Sequence, residues 1–221
     1  PLKIGWIFQP IFFMLIAYTK KYMKPLSIAA IQLSLARKDN YSLVETKARE
    51  AVFRFPWLQM LVFSELAVGG AGAKNSSFFL SEYLDKLKEL AKELDIWLIP
   101  GSFYEKTEGG TFNTAPVINN KGELVTKCRK LYPFLPYESG VEAGSEVCVF
   151  EVPGSGKVGI HICYDLWFPE TSRALAFQGA EVILHPSLTD TIDRDVERAM
   201  VKATAAQQQC YYIDVNASGE Q

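Results

Sequence analysis

Histidine is almost absent from this chain, with two in 221 residues. Its four cysteines, Cys128, Cys148, Cys163 and Cys210, stand far apart, and no C-x-x-C pair occurs. A zinc site needs clustered thiolate and imidazole ligands, so the composition supports none and no metal is expected. The alternation His161, Cys163, Asp165 is the nearest approach to a ligand set, and a turn expected after Cys163 breaks it. An excess of charge of one sign is missing too. The net charge is −2, with neither a basic block nor an acidic tail. That leaves no electrostatic footprint for nucleic acid or for an anionic membrane surface. There is no internal repeat and no low-complexity tract. A Walker-type phosphate loop is also lacking. Pro153-Gly154-Ser155-Gly156-Lys157-Val158 has no glycine where G-x-x-x-x-G-K needs one, and Val158 replaces the Ser or Thr.

What is present fits one globular domain with a sizeable core. The chain is 48% hydrophobic and 22% charged, and its length does not call for disulfides to stabilise it. A reducing, cytoplasmic location is therefore expected. Residues 1–24 differ from the rest. Residues 4–18 are almost wholly apolar and are followed by Lys20, Lys21 and Lys24. The run falls short of the roughly 20 apolar residues that span a bilayer, and Pro10 interrupts it. It also lacks the basic leader and small-residue cleavage site of a secretory signal. The end of a membrane segment, an interfacial anchor and a misassigned upstream stretch all fit it. Residues 1–24 are expected to lie outside the core, with the domain occupying residues 25–221.

Apolar periodicity sets out the domain. Residues 26–33 and 58–63 read as buried strands, separated by a helix that Asn40 or Ser42 caps and that runs to about Phe53. A Gly-rich loop, residues 69–73, precedes a strong helix over residues 77–94. A strand follows at 96–100, then a hairpin of 112–118 and 123–130 around Asn119-Asn120-Lys121-Gly122. Residues 131–146 read as a long loop, and strands at 147–152 and 157–162 follow it. Residues 171–178 are helical and stop at Gly179. A strand at 181–185, a helix at 193–209 and a strand at 210–216 complete the order. Helices alternating with strands in this way give an α/β fold with helical layers around sheets.

The chain is organised around residues 156–170. Residues 158–162 form an apolar, β-branched run, and Pro169 and Glu170 suit the first turn of a helix. Cys163 thus falls on a sharp strand-to-helix turn, the geometry that exposes a nucleophile, and a helix N-terminus there favours a thiolate. The plain alternative is a buried structural thiol. Glu65 ends a buried strand before the glycine loop, where a carboxylate must be paired, hydrogen-bonded or working; it would otherwise cap the next helix. Lys130 ends a hairpin strand, where a lysine is ordinarily solvated. Glu138 sits among several loop acids and would ordinarily be solvated as well.

Three blocks carry a resemblance: Val62-Phe63-Ser64-Glu65, Cys128-Arg129-Lys130-Leu131, and Ile162-Cys163-Tyr164-Asp165-Leu166-Trp167-Phe168-Pro169-Glu170. In this order, with Asn113-Thr114-Ala115 and Glu138-Ser139 around the second block, they resemble the signatures of the nitrilase superfamily, the carbon–nitrogen hydrolases, from about residue 26 to the end. The resemblance implies a four-layer αββα sandwich and a Glu-Lys-Cys triad of the amidase-like branch. It implies Cys163 as nucleophile, Glu65 as general base and Lys130 at the oxyanion. The Tyr164 N–H would assist Lys130, Glu138 would position substrate or assist proton transfer, and Trp167 would stand near the substrate. No cofactor is implied. The partner would be a small linear amide or carbamoyl compound, split through a Cys acyl-enzyme. A nitrilase or an N-acyltransferase would use the same triad, and a catalytically silent binding domain would keep the fold. The family is often oligomeric, so a homo-oligomer is expected. Two departures stand out. The apolar N-terminal stretch has no counterpart in the simplest members, although the membrane-bound lipoprotein N-acyltransferases precede this domain with spanning helices, so membrane attachment through residues 4–18 stays open. The chain also stops at Gln221, where the family continues, so the domain is expected to lack its C-terminal part.

Overall fold

The computed structural model describes residues 24–70 and 78–219. Residues 1–23 and 71–77, which include the apolar stretch and part of the glycine loop, lie outside the described residues. Among the described residues the order is β1 (Ile28–Ile31), β2 (Ser34–Leu35), α1 (Tyr41–Arg54), β3 (Met60–Phe63), α2 (Leu80–Glu93), β4 (Trp97–Ile99), β5 (Phe103–Thr107), β6 (Gly110–Ile118) and β7 (Leu124–Arg129). Then come β8 (Cys148–Val152), β9 (Gly156–Ile160), α3 (Pro169–Phe177), β10 (Val182–Ser187), α4 (Arg194–Gln208), β11 (Tyr211–Asn216) and β12 (Ser218–Gly219).

Two sheets form. The first runs β1-β3-β4-β6-β5, with β7 also paired to β6, and the second runs β11-β10-β9-β8. β3 shows why they stack. All four of its residues are buried, which marks a strand covered on both faces. Leu61 and Phe63 join a core with Val44, Ala48 and Ala51 of α1 and Leu80, Leu87 and Leu90 of α2. The alternate residues, Met60 and Val62, join a second core with Phe150, Val152, Val158, Ile160, Val182 and Leu184 of the other sheet. On that sheet's outer face, Leu175 of α3 packs with Ala180 and Ile183. The layers are therefore helix, sheet, sheet, helix: the αββα sandwich.

Several details differ from the sequence reading. β5 was not anticipated, because its Glu105-Lys106-Thr107 end is polar; it pairs antiparallel with β6, Phe103 opposite Thr114. β12 pairs with β2, Ser218 opposite Ser34. Asn40 precedes α1 without capping it through its side chain. Its amide instead donates to the Ala36 and Lys38 carbonyls at 2.8 and 2.9 Å. Cys128 and Cys148 are joined as a disulfide, with Cα atoms 5.3 Å apart, although disulfides were not expected. They are distant in sequence, but the end of β7 and the start of β8 bring them together.

Candidate active site

The first carboxylate is placed by close backbone packing. Glu65 lies two residues beyond β3, and Leu66 after it adopts φ +50°. Gly101 approaches so tightly that a Cβ there would sit 1.9 Å from the Ser64 carbonyl oxygen, and its own φ is +85°. Ser102 Oγ then accepts from the Leu66 N–H at 3.2 Å. The connection between β4 and β5 thus grips the chain on both sides of Glu65.

Lys130 is the first residue past β7. Its N–H donates to the Asn113 carbonyl, and its carbonyl accepts from the Gly144 N–H, both at 2.8 Å. Its side chain turns inward, not into solvent, and is only 2% exposed. The ammonium donates to Glu65 Oε1 at 2.8 Å and to Glu138 Oε2 at 2.7 Å. Asn113, on β6, bridges the same two acids, its amide donating to Glu65 Oε1 at 2.9 Å and Glu138 Oε1 at 2.8 Å. Its own Oδ1 is buried without a hydrogen-bond partner among the described residues. The Phe134 N–H donates to Glu138 Oε2 at 2.7 Å, which fixes the long loop over the cluster. The three charged residues singled out in the sequence are thus one buried group.

Cys163 opens a 3-10 turn, Cys163–Trp167, three residues beyond the end of β9, and α3 starts only at Pro169. Its φ is +47°, a left-handed backbone that a non-glycine residue holds at a cost of about 1–3 kcal/mol. Such a turn lifts the side chain off the sheet edge. The sulfur lies 3.7 Å from both Thr189 Oγ1 and Ser187 Oγ, on the segment leaving β10. Asp165 holds the turn against Lys130. Its Oδ1 accepts from the Leu131 and Tyr132 N–H groups at 2.9 Å each, and its Oδ2 from the Ile162 N–H at 2.8 Å. One carboxylate thereby ties the backbone after Lys130 to the backbone before Cys163.

Burial dominates the electrostatics. It pushes the Cys163 thiol up to about 12, the negative charge of Glu65 pushes it the same way, and Lys130 pulls it back. These shifts favour the thiol at neutral pH. They oppose the thiolate that a helix N-terminus would favour, and a 3-10 turn separates Cys163 from α3. Burial also raises the Glu65 carboxyl above its ordinary value; Lys130 opposes this and Glu138 adds to it. Burial alone would depress Lys130, but the charge of Glu65, that of Cys163 wherever it is a thiolate, and that of Glu138 outweigh it and hold the ammonium well above its ordinary value. A proton donor, a carboxylate that binds protons more readily than usual, and a fixed cation therefore meet in one dry site. Such a set can move a proton off sulfur and stabilise a new negative charge.

Tyr164 and Trp167 belong to an aromatic group on the turn that Cys163 opens. The Tyr164 ring lies 4.9 Å from Phe134 and 6.2 Å from Trp167, centroid to centroid. Trp167 is engaged elsewhere, its indole N–H donating to Glu197 Oε1 at 3.4 Å. His161 and Asp165 are likewise committed to other partners: Nε2 of His161 meets the Tyr212 hydroxyl, and Asp165 holds backbone. The bridging role of Asn113 and the tying role of Asp165 were missed. For Asn113 a signal existed: a polar residue in the middle of an apolar strand.

The sequence profile of the carbon–nitrogen hydrolase family matches residues 27–221. The chain belongs to the carbon–nitrogen hydrolase family. Among relatives, a formamidase of Bacillus cereus (strain G9842) is 32% identical over 177 residues, 75% of this chain and 52% of that protein. A formamidase of Bacillus thuringiensis (strain Al Hakam) is 29% identical over 174 residues, with the same coverage of 75% and 52%. The chain spans about half the length of the curated relatives it matches. Among solved structures, Saccharomyces cerevisiae Nit3, of branch 10 of the nitrilase superfamily, superposes with a TM-score of 0.78 at 24% identity, over 87% of this chain and 75% of that one. An amidase from Nesterenkonia sp. AN1, with acrylamide added at its active site cysteine, gives a TM-score of 0.79 at 22% identity, over 87% and 79%. These likenesses establish the nitrilase fold for this carbon–nitrogen hydrolase chain. Among the described residues no helix is long and apolar enough to cross a membrane.

Proposed function

We propose that this chain carries the catalytic site of an amidase: a thiol-dependent hydrolase of small linear amides or carbamoyl compounds. The observation behind this reading is the buried contact of Lys130 with Glu65 at 2.8 Å, with Cys163 coupled to the same carboxylate. Cys163 sulfur attacks the amide carbon while Glu65 takes the thiol proton. Glu65 suits this task because its proton affinity is raised above that of an exposed carboxylate. The carbonyl oxygen becomes an oxyanion, met by the Lys130 ammonium and the Tyr164 N–H. Collapse breaks the C–N bond. Glu65 passes its proton to the departing nitrogen, ammonia or an amine leaves, and the acyl group stays on sulfur as a thioester. Water, deprotonated by Glu65, then releases the carboxylic acid and restores the thiol. Glu138, held by Lys130, Asn113 and Phe134, orients the amide nitrogen. No step calls for a cofactor.

Substrate size follows from access. Cys163 is only 8% exposed, which favours a small acyl group, and the related proteins bear the names formamidase and amidase. The test is ammonia release from a panel of short amides, ureides and matching nitriles, with Cys163→Ala as control. Release from amides by the wild type alone supports the reading. Release from nitriles alone, or undiminished release by Cys163→Ala, overturns it.

A further inference from the structure

Behind the candidate nucleophile lies a second buried charged group that the reaction as described does not use. His185, on β10, is fully buried. Its Nε2 lies 2.9 Å from the Cys163 carbonyl oxygen, and its Nδ1 lies 2.9 Å from Asp214 Oδ1. A peptide carbonyl only accepts. Asp214 is a carboxylate, since hydrogen bonds and charge from His185 and Arg194 outweigh its burial and hold it below its ordinary value. It too only accepts. Both ring nitrogens are thus engaged, and Nε2 must carry a proton to meet the Cys163 carbonyl.

Asp214 and Tyr212 from β11 and His161 from the segment after β9 enclose the ring. Arg194 of α4 bridges Asp214 and Glu197, its Nη1 lying 3.2 Å from Glu197 Oε2. Tyr212 stays protonated, raised by burial and nearby carboxylates. His161, its ring centroid 5.1 Å from that of His185, is held neutral chiefly by burial.

The clamped atom matters because of what shares its peptide. The carbonyl of Cys163 and the N–H of Tyr164 belong to one planar trans unit and point in opposite directions. Holding the one aims the other, and a hydrogen bond on the carbonyl polarises the peptide so that its N–H donates more strongly. We propose that His185 is a positioning residue for the oxyanion site: it holds the left-handed Cys163 backbone and, through that peptide, aims and strengthens the Tyr164 N–H. This rests on the amidase reading for its kinetic consequence.

Two measurements test it. Ring nitrogen NMR of the wild-type chain should show the His185 Nε2 carrying a proton and hydrogen-bonded; a bare Nε2 overturns the assignment whatever the activity. Kinetics of His185→Leu and His185→Gln then read the positioning. Leu removes the donor, so kcat should fall about a hundredfold, the usual cost of an oxyanion donor, with KM little changed. Gln keeps a neutral N–H within reach of the carbonyl and should restore most of that loss. Alkylation of Cys163 by iodoacetamide forms no oxyanion and should stay within about threefold of wild type in both variants. A folded His185→Leu with wild-type kcat contradicts the proposal. Equal loss of alkylation and turnover would also contradict it, by showing a merely structural role.

Discussion

Lys130 Nζ donates to Glu65 Oε1 across 2.8 Å, with the lysine side chain 2% and the glutamate side chain 4% exposed. Glu138 completes a group of two buried carboxylates around one ammonium, and the amide of Asn113 and the backbone N–H of Phe134 share the excess negative charge. Removing the cation should therefore cost more than removing the whole group. Lys130→Met should lose about 3–5 kcal/mol by urea unfolding, as expected when one partner of a buried pair goes. Adding Glu65→Gln and Glu138→Gln to it should recover most of that stability without any activity. A triple variant no more stable than Lys130→Met would refute this charge accounting.

The pH dependence separates a thiol from a preformed thiolate. With Cys163 pushed up to about 12, its thiolate fraction grows with pH across the whole neutral range. Alkylation by iodoacetamide should rise steadily with pH and show no plateau near neutrality. Turnover should behave differently. It needs Glu65 ionised to take the proton, and that carboxyl is raised, so the rate should fall as pH drops through a point above the usual carboxylate range. An alkylation plateau near pH 7 would show a resting thiolate and remove the need for the base.

Most of the architecture was legible because it rests on periodicity. The helical stripe of Leu80, Leu87 and Leu90 and the continuous burial of Met60 to Phe63 both follow from apolar spacing. Strands held by pairing rather than by burial were harder, as β5 and β12 show. The residues of the site were readable one by one through their motifs, and Glu65 also through its position at the end of a buried strand. Their interactions were not. Nothing in the spacing of Asn113 and Asp165 shows that one bridges two carboxylates and the other ties Leu131 to Ile162, because their contacts with Glu138, Leu131 and Glu65 span 25 to 48 residues. The Cys128–Cys148 pairing escaped for the same reason.

Asp165 can be tested by a near-isosteric change. Asparagine can keep one oxygen for Leu131 and Tyr132 but turns an N–H toward that of Ile162. A buried N–H left unpaired costs about 1–3 kcal/mol. Asp165→Asn should be less stable by that amount in urea, and should lose more in kcat than in KM as Cys163 shifts relative to Lys130. Unchanged stability and kcat would remove Asp165 from the account.

Two glycines give a paired comparison. Gly101 and Gly140 both have positive φ, +85° and +89°, but an added Cβ meets the Ser64 carbonyl at 1.9 Å in the first and nothing within 4 Å in the second. Gly140→Ala should cost only the backbone strain, about 1–2 kcal/mol, and keep its activity. Gly101→Ala must also move Ser64, and with it Glu65, so activity should collapse. Equal effects on turnover would mean that Glu65 is not placed by this contact.

The most direct test of the central claim is intact-protein mass spectrometry after exposure to an activated ester or hydroxamate of a short acid. Its leaving group needs little help, so Glu65→Gln should still be acylated on Cys163, while the water step that follows lacks its base. General acid–base help is worth about 10²–10⁴-fold. The acyl adduct should therefore persist in Glu65→Gln, clear quickly from the wild type and be absent from Cys163→Ala. An adduct on Cys210, or a Glu65→Gln adduct that clears as fast as the wild type's, would contradict the assignment of Cys163 as nucleophile and Glu65 as its base.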